Sequence, residues 1–332
     1  MPPISSSENI TVVARSPGLS RDSIEIAVTL PTYKRPEQLL ATIESVMAQA
    51  TARKFALVVM ENDAERHAGA DAAAPLFENG TVRGVLIIAH ERGNCCAYNA
   101  GWSTALSEFP NLRYVQVIDD DEIARHDWLE RMCAAAESLD ADIVGGPQVP
   151  EFARPDSDHW RNHPVFSPPY GETGRVDALY SSGNLLVSKR VLDAMPRPFL
   201  DPLFNFMGGG DSDFLSRAAT KGFNLGWCAE AVVVETIPDR RLENEWIRSR
   251  SLRNGVISTL VEKRKRAGSP FGSLRVAAKS LALLAASPLR ATASLLRTGS
   301  MSAALYPVHV ALGRILAEFG YANEQYRHAE KN

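Results

Sequence analysis

Apolar residues change their spacing in a regular way from Ile24 onward. IEIAVTLP (24–31) is a run of strand length, TYKRPE (32–37) interrupts it with charge and proline, and LLATIESVMAQA (39–50) places its apolar residues at helical spacing. Together they predict strand, loop and helix. FALVVMEN (55–62) and GVLIIAHE (84–91) are further runs of strand length, joined by a polar, alanine-rich connection. YNAGWSTALSEF (98–109) predicts a helix, and YVQVIDDDE (114–122) a fourth strand that ends in carboxylates. Strands alternating with helices over residues 24–123 indicate an α/β domain with a mixed, mostly parallel sheet flanked by helices.

The pattern loosens after Trp128–Leu139, which predicts a helix. A Pro-, His- and Asp-rich stretch follows ADIVGGPQVPEF and runs to about Gly174 without periodicity, as expected of a functional loop or lid. Residues 176–195 then predict strand and helix, 204–223 a Gly-rich turn into a helix, and 224–238 a closing strand. From about Glu243 the chain predicts helix to its end. Residues 1–23 are polar and predict a flexible tail, with no apolar core of the kind a secretory signal carries. The chain thus divides into 1–23, 24–240 and 241–332.

Composition adds little to this until charge is resolved along the chain. The 332 residues are 45% hydrophobic and 23% charged, an ordinary globular balance. The four cysteines form no CxxC pair, which argues against a zinc cage or disulfide framework and for reduced, cytoplasmic thiols. The net charge of -3 hides a division: residues 1–239 hold 20 Lys and Arg against 33 Asp and Glu, and residues 240–332 hold 16 against 6, giving -13 and then +10. A basic final third suits phosphate, nucleic acid or an anionic membrane face.

Candidate chemistry gathers where the strands end. In open α/β sheets ligands sit beyond the carboxyl ends of the strands. Those ends carry Pro31-Thr32-Tyr33-Lys34-Arg35, Glu61-Asn62-Asp63, Glu91-Arg92-Gly93-Asn94 and Asp119-Asp120-Asp121-Glu122. Consecutive carboxylates raise one another's pKa unless a cation is present. Magnesium and manganese favour oxygen ligands, commonly one or two carboxylates with substrate phosphates, so alternate aspartates on a turn suit a metal-diphosphate complex. A solvated acidic loop is the plainer alternative. Asp211 follows Gly208-Gly209-Gly210, a turn that allows close ligand approach, and reads either as a general base or as a helix cap.

The ordered succession of VTLPTYKRPEQLLATIESVMAQ, VVMEND, RGNCCAYNAGW, VIDDDEIARHDWLERM, SSGNLLVSKRVL and GGGDSDFLSRAATKGF resembles family 2 glycosyltransferases over roughly residues 24–255. The resemblance implies the GT-A fold, with residues 24–123 as the nucleotide-sugar half and 124–240 as the acceptor half. It implies that Pro31, Thr32, Tyr33 and Arg35 lie near the nucleobase and ribose, that Glu61 and Asp63 meet the uracil or ribose, and that Asn99 belongs to the same donor site. It further implies Mg²⁺ or Mn²⁺ on Asp121, with Asp119 at the ribose or a metal-bound water and Asp120 holding the turn. Asp211 corresponds to the usual base. The family commonly shows Glu-Asp-x-Asp there, whereas this chain has Gly210-Asp211-Ser212-Asp213, losing one acceptor contact. Ser182, Gly183 and Asn184 resemble the segment that touches donor sugar or acceptor, with Gly210 and Asp213 beside it. Glu235 stands where many relatives have a metal-binding histidine, a simple strand terminus being the alternative, and Arg248 and Arg250 stand where relatives cover the diphosphate or a lipid-pyrophosphate acceptor, a solvated helix face being the alternative.

The activity so implied is inverting transfer of a hexose from a nucleotide sugar, of UDP type, to a glycan or lipid-linked oligosaccharide acceptor. The layout is similar to bacterial exopolysaccharide glycosyltransferases. A nucleotidyltransferase would more often show a Gly-rich phosphate loop after the first strand, and PTYKRPE is not one. A non-catalytic sugar-nucleotide-binding scaffold would keep the pocket without the base. A glycosidase pairs carboxylates without a nucleotide pocket.

In the final third, Lys263-Arg264-Lys265-Arg266 is a polybasic patch suited to anionic headgroups. Residues 271–286 predict an amphipathic helix with Arg275 and Lys279 in a basic stripe, interrupted at Pro288. The stretch 301–319 contains Pro307, His309 and Arg314, and neither stretch supplies about 20 uninterrupted apolar residues. Monotopic attachment to the inner membrane face is therefore expected rather than spanning, with no nucleic-acid partner. A helical hairpin packed on the catalytic domain is the rival.

Overall fold

The computed structural model describes residues 9–321. Its first half contains β1 (Ile10–Arg15), β2 (Ile26–Thr32), α1 (Pro36–Met47), β3 (Phe55–Glu61), α2 (Ala68–Glu78), β4 (Gly84–Ala89), α3 (Asn94–Glu108) and β5 (Tyr114–Val117). The sheet centre, β4-β3-β2-β5, is parallel throughout. Every residue of β3 is buried, as a strand covered on both faces requires. On one face α3 packs through Tyr98 and Trp102, with Phe109 just past its end. On the other lie Leu39 and Ile43 of α1, Phe77 of α2 and Trp128.

Two elements of this half depart from the sequence reading. The alanine-rich connection between β3 and β4 is a helix, α2, in which Ala70, Ala73 and Phe77 are buried. Alanine's high helix propensity made up for a weak apolar periodicity. The expected flexible tail also contributes structure: β1 pairs antiparallel with β4 at the sheet edge. Only alternate positions of β1 turn inward, with Ala14 buried and Val13 36% exposed, so its signal is short and half polar.

The second half contains β6 (Glu122–Ala124), α4 (Trp128–Ser138), β7 (Ile143–Gly145), β8 (Gln148–Phe152), β9 (Gly174–Arg175), β10 (Leu185–Ser188), α5 (Lys189–Ala194), α6 (Gly210–Thr220), β11 (Leu225–Trp227) and β12 (Val233–Ile237). β10 runs antiparallel between β5 and β7 and makes the nine-stranded sheet mixed. A separate three-stranded sheet, β6-β12-β8, places Glu122 opposite Glu235. The aperiodic stretch before β9 packs Phe166 against Ile237 and Ile247, so it is anchored at one end of the crevice.

The chain then forms α7 (Asn244–Lys265), α8 (Gly272–Thr298) and α9 (Met301–Glu318). α7 and α9 cross at their backbones. A Cβ on Gly313 would stand 2.0 Å from the Leu252 carbonyl oxygen, and one on Gly255 2.1 Å from that of Val310. Buried Arg314 ties three helices by donating to Ser258 Oγ (3.0 Å), Ser280 Oγ (3.1 Å) and Glu262 Oε2 (2.9 Å). Gly313→Val is accordingly expected to cost about 3 kcal/mol or more of stability by overpacking. Denaturant titration checks this, and an unchanged midpoint would contradict the seam. The predicted interruption at Pro288 does not occur. The Leu284 carbonyl, which loses its amide donor to Pro288, accepts from Ser287 Oγ at 2.8 Å and the helix continues. No described helix is long and apolar enough to cross a membrane.

Candidate active site

The acidic turn after β5 is held by groups from β2, α1 and α3. Asp120 accepts from Thr32 Oγ1 (2.9 Å) and Arg35 Nη1 (3.0 Å), while Thr42 Oγ1 donates to the Asp120 and Glu122 carbonyls at 3.1 and 2.7 Å. Burial pushes the Asp120 carboxyl up to about 6 despite Arg35. Asp120 therefore braces the turn. Asp121 accepts from Arg35 Nη1 (2.8 Å) and Arg241 Nη2 (3.4 Å), and Arg241 Nη1 also donates to Glu235 at 2.5 Å. Asp119 accepts from the Tyr98 hydroxyl at 2.6 Å. Burial, then the neighbouring Asp121, push its carboxyl up to about 7. Glu122 accepts from Gln148 Nε2 (2.5 Å) and the Asp119 amide (3.0 Å), and burial beside Asp119 holds it well above the ordinary range.

The raised pKa has a stability consequence. The native state holds a proton on Asp119 more tightly than the unfolded chain, so ionising it as pH rises from about 4 towards about 7 costs stability. Asp119→Asn removes that cost and keeps an acceptor for Tyr98. In chelator, its melting temperature is expected to gain on the unsubstituted protein by roughly 2–5 °C between about pH 5 and 8. A difference that stays constant across this range would show that Asp119 ionises freely.

The turn opens into a cavity of about 1290 Å³, lined by Pro31, Thr32, Tyr33 and Arg35, by Asp119, Asp120 and Asp121, by Ser182, Gly183 and Asn184, and by Asp211, Glu235 and Arg250. Gly183 keeps the carboxylates uncovered, since a Cβ there would stand 3.0 Å from Asp119 Oδ2 and 2.9 Å from Glu122 Oε1. Arg92 lies over the Tyr33 ring at 5.1 Å and fixes one wall. Asn184 is spent on structure, accepting from Trp128 Nε1 (2.8 Å) and donating to the Ala231 carbonyl (2.7 Å).

Asp211 lies in the first turn of α6, after Gly208 (φ 81°) and Gly209 (φ 94°), whose left-handed backbone turns the chain sharply into the helix. The cap position is Gly209, so Asp211 is free of the capping role. Its Oδ1 accepts from the Ser212 amide at 2.7 Å. Burial raises its pKa against these amide contacts and the pull of Arg250.

Several expected site residues lie elsewhere. Asp213 is buried against Arg217 (2.8 Å) and Arg264 (3.3 Å), clipping α6 to α7. Gly210 packs on Cys95, where a Cβ would stand 2.5 Å from Sγ, so the family's glutamate has no room. Glu61 accepts from the amides of Asp63 (2.8 Å) and Ala70 (3.1 Å) and fixes the start of α2. Asn99 brackets the Leu200 backbone at 2.7 and 2.9 Å. Arg248 faces a separate groove of about 500 Å³ with Leu252 and His309. None of these five lines the main cavity. Asp63 is 5% exposed and does not line the main cavity either; its Oδ2 is buried without a hydrogen-bond partner among the described residues. Arg92, among the strand-end groups expected to face the crevice, does line it, whereas the sequence does not single out Tyr98 and Gln148. Tyr98 sits one position before Asn99 in a segment already singled out.

The donor set fits a divalent cation in its chemistry, being carboxylate oxygen with a deficit of positive charge. Among the described residues, however, no three His, Cys, Asp or Glu side chains stand in a cation-holding arrangement. Arg35 and Arg241 lie against Asp121 instead.

Succinoglycan biosynthesis protein ExoM of Rhizobium meliloti (strain 1021) is 26% identical over 249 residues, covering 71% of this chain and 75% of its own. Glycosyltransferase GlyG of Streptococcus pneumoniae is 26% identical over 121 residues, 36% of this chain and 38% of its own. Residues 1–349 of S. aureus TarS in complex with UDP cover 90% of this chain and 92% of that piece at 12% identity, with a TM-score of 0.48. The Glycosyl transferase family 2 pattern matches residues 27–194, from β2 through α5 and just over half of the chain. With its strand-end motifs and its mixed α/β sheet, the chain therefore belongs to glycosyl transferase family 2 and is a glycosyltransferase of the GT-A fold.

Proposed function

We propose that the protein transfers a hexose, with inversion, from a UDP-type nucleotide sugar to a glycan or lipid-linked glycan acceptor in bacterial polysaccharide biosynthesis. One observation carries this reading: a single cavity joins the acidic turn to Asp211, so donor and acceptor groups share one space. The likeness to a succinoglycan biosynthesis protein supports the polysaccharide setting. A peripheral place at the cytoplasmic membrane face is proposed beside it and does not depend on it.

Tyr33 offers the nucleobase an aromatic face from the cavity lining, and Asp63 keeps the uracil or ribose contact that the family resemblance implies. Asp121 and Asp119 would hold Mg²⁺ or Mn²⁺, with Glu235 nearby once Arg241 yields. The bound ion would offset the negative charge that grows on the departing nucleoside diphosphate. Arg250 adds a fixed guanidinium to the cavity wall between the turn and Asp211. Asp211 takes the proton of the acceptor hydroxyl as it attacks the anomeric carbon from the face opposite the leaving group, and inversion follows.

The test is a screen of nucleotide sugars with Mg²⁺ or Mn²⁺, following nucleoside diphosphate release with and without a bacterial lipid extract. Release from a UDP-sugar that rises with the extract is expected. If no nucleotide sugar binds or turns over, the reading fails.

A further inference from the structure

The helix α8 is 27 residues long, about 40 Å at a rise of about 1.5 Å per residue, and only one side of it is used for packing. Val276, Ser280 and Ser287 are buried. Leu274, Leu281, Leu289 and Leu296 are 66%, 61%, 77% and 83% exposed. At about 100° per residue these four fall within about 80° of one another, opposite the buried side. A continuous leucine stripe open to solvent along a whole helix is unusual for a surface that meets only water.

Charge identifies what covers it. Residues 263–317 contain nine Lys and Arg and no Asp or Glu. Arg275, Arg290 and Arg297 are exposed along one flank of the stripe, and none has an ion-pair partner among the described residues. A second copy docking through the same face would bring like charges together, because a two-fold contact repeats each patch against itself. An anionic lipid surface meets both needs, taking the leucines below its headgroups and the guanidinium groups among them.

We propose that the outer face of α8 docks on an anionic membrane surface. α9 is set apart by its seam with α7 at Gly255 and Gly313, and its exposed Met301, Leu305 and Leu312 line the separate groove that holds Arg248. The docking also orients the enzyme. The main cavity extends to Glu262, Lys265, Arg266 and Lys279, the last on the arginine flank of α8, so this end of the cavity stands at headgroup level. An acceptor carried on an anionic lipid reaches Asp211 from that side. This last step rests on the transfer reading above, whereas the docking does not.

The full-length protein would be co-sedimented with phosphatidylglycerol and with phosphatidylcholine vesicles. Binding at least about tenfold stronger to the anionic vesicles is expected, weakened by salt. The double substitution Leu281→Asp with Leu289→Asp is expected to lower binding at least about tenfold while leaving UDP-sugar turnover in lipid-free buffer unchanged. If that variant misfolds by circular dichroism, Arg275→Glu, Arg290→Glu and Arg297→Glu together provide the same test. Equal binding to both vesicles, or binding untouched by a folded variant, overturns the proposal. So does a change in molecular mass by analytical ultracentrifugation, which assigns the face to a second copy. Vesicle binding without turnover of any nucleotide sugar leaves the docking standing and removes only the transfer reading.

Discussion

Asp211→Asn is expected to lower the transfer rate by about 10³-fold, within the range that a positioned general base supplies, while UDP-sugar affinity stays within about threefold. The asparagine keeps an oxygen for the Ser212 amide, so the first turn of α6 is preserved. What it loses is the ability to take the acceptor's proton. Because burial raises the pKa of Asp211, the transfer rate is also expected to rise with pH through a value above the usual aspartate range, and the variant is expected to lose that limb. Steady-state kinetics with isothermal titration of UDP-sugar separates the two effects. Full turnover by the folded variant would remove Asp211 from the chemistry.

The second large effect separates neighbours on one turn. Asp121→Asn is expected to reduce turnover by about 10²-fold or more and to weaken Mn²⁺ binding. Asp120→Asn is expected to leave Mn²⁺ affinity within a few-fold but to cost about 1–3 kcal/mol of stability, because Arg35 and Thr32 use different carboxylate oxygens and the amide turns one of these into a donor facing a donor. Titration calorimetry with Mn²⁺ and denaturant unfolding on both variants test this. If both substitutions had equal effects on metal binding and on stability, this division of labour on the turn would be wrong.

What the sequence disclosed follows from what each element had to signal. β2 to β5 were legible because fully buried strands read as unbroken apolar runs and end in polar loops. Asp119–Asp121 and Asp211 were legible because their surroundings, an apolar strand and a triple glycine, are unusual in themselves. α2 was hidden because alanine is nearly silent in a periodicity test, and β1 because only alternate residues of a short edge strand face inward. Glu61, Asn99 and Asp213 share the motif positions of binding residues, yet their partners are backbone amides, a backbone segment and two arginines. Those partners are distant in sequence for Asn99 and for the Asp213–Arg264 pair, so no local pattern could report them. Tyr98 was missed for the same reason, since its partner Asp119 lies on another element.

The backbone-to-backbone seam between α7 and α9 has a consequence for how the enzyme can be taken apart. α7 carries Arg250 into the catalytic cavity, and Arg264 on the same helix reaches Asp213 beneath Asp211. A chain cut after Ser269 would strip Gly255 of its neighbour and leave Glu262 without Arg314 and Lys279. The last third is thus no detachable anchor. Truncation there is expected to unsettle the wall of the active site together with the lost helices, so a test of membrane docking that spares catalysis needs substitutions on the outer face of α8 instead.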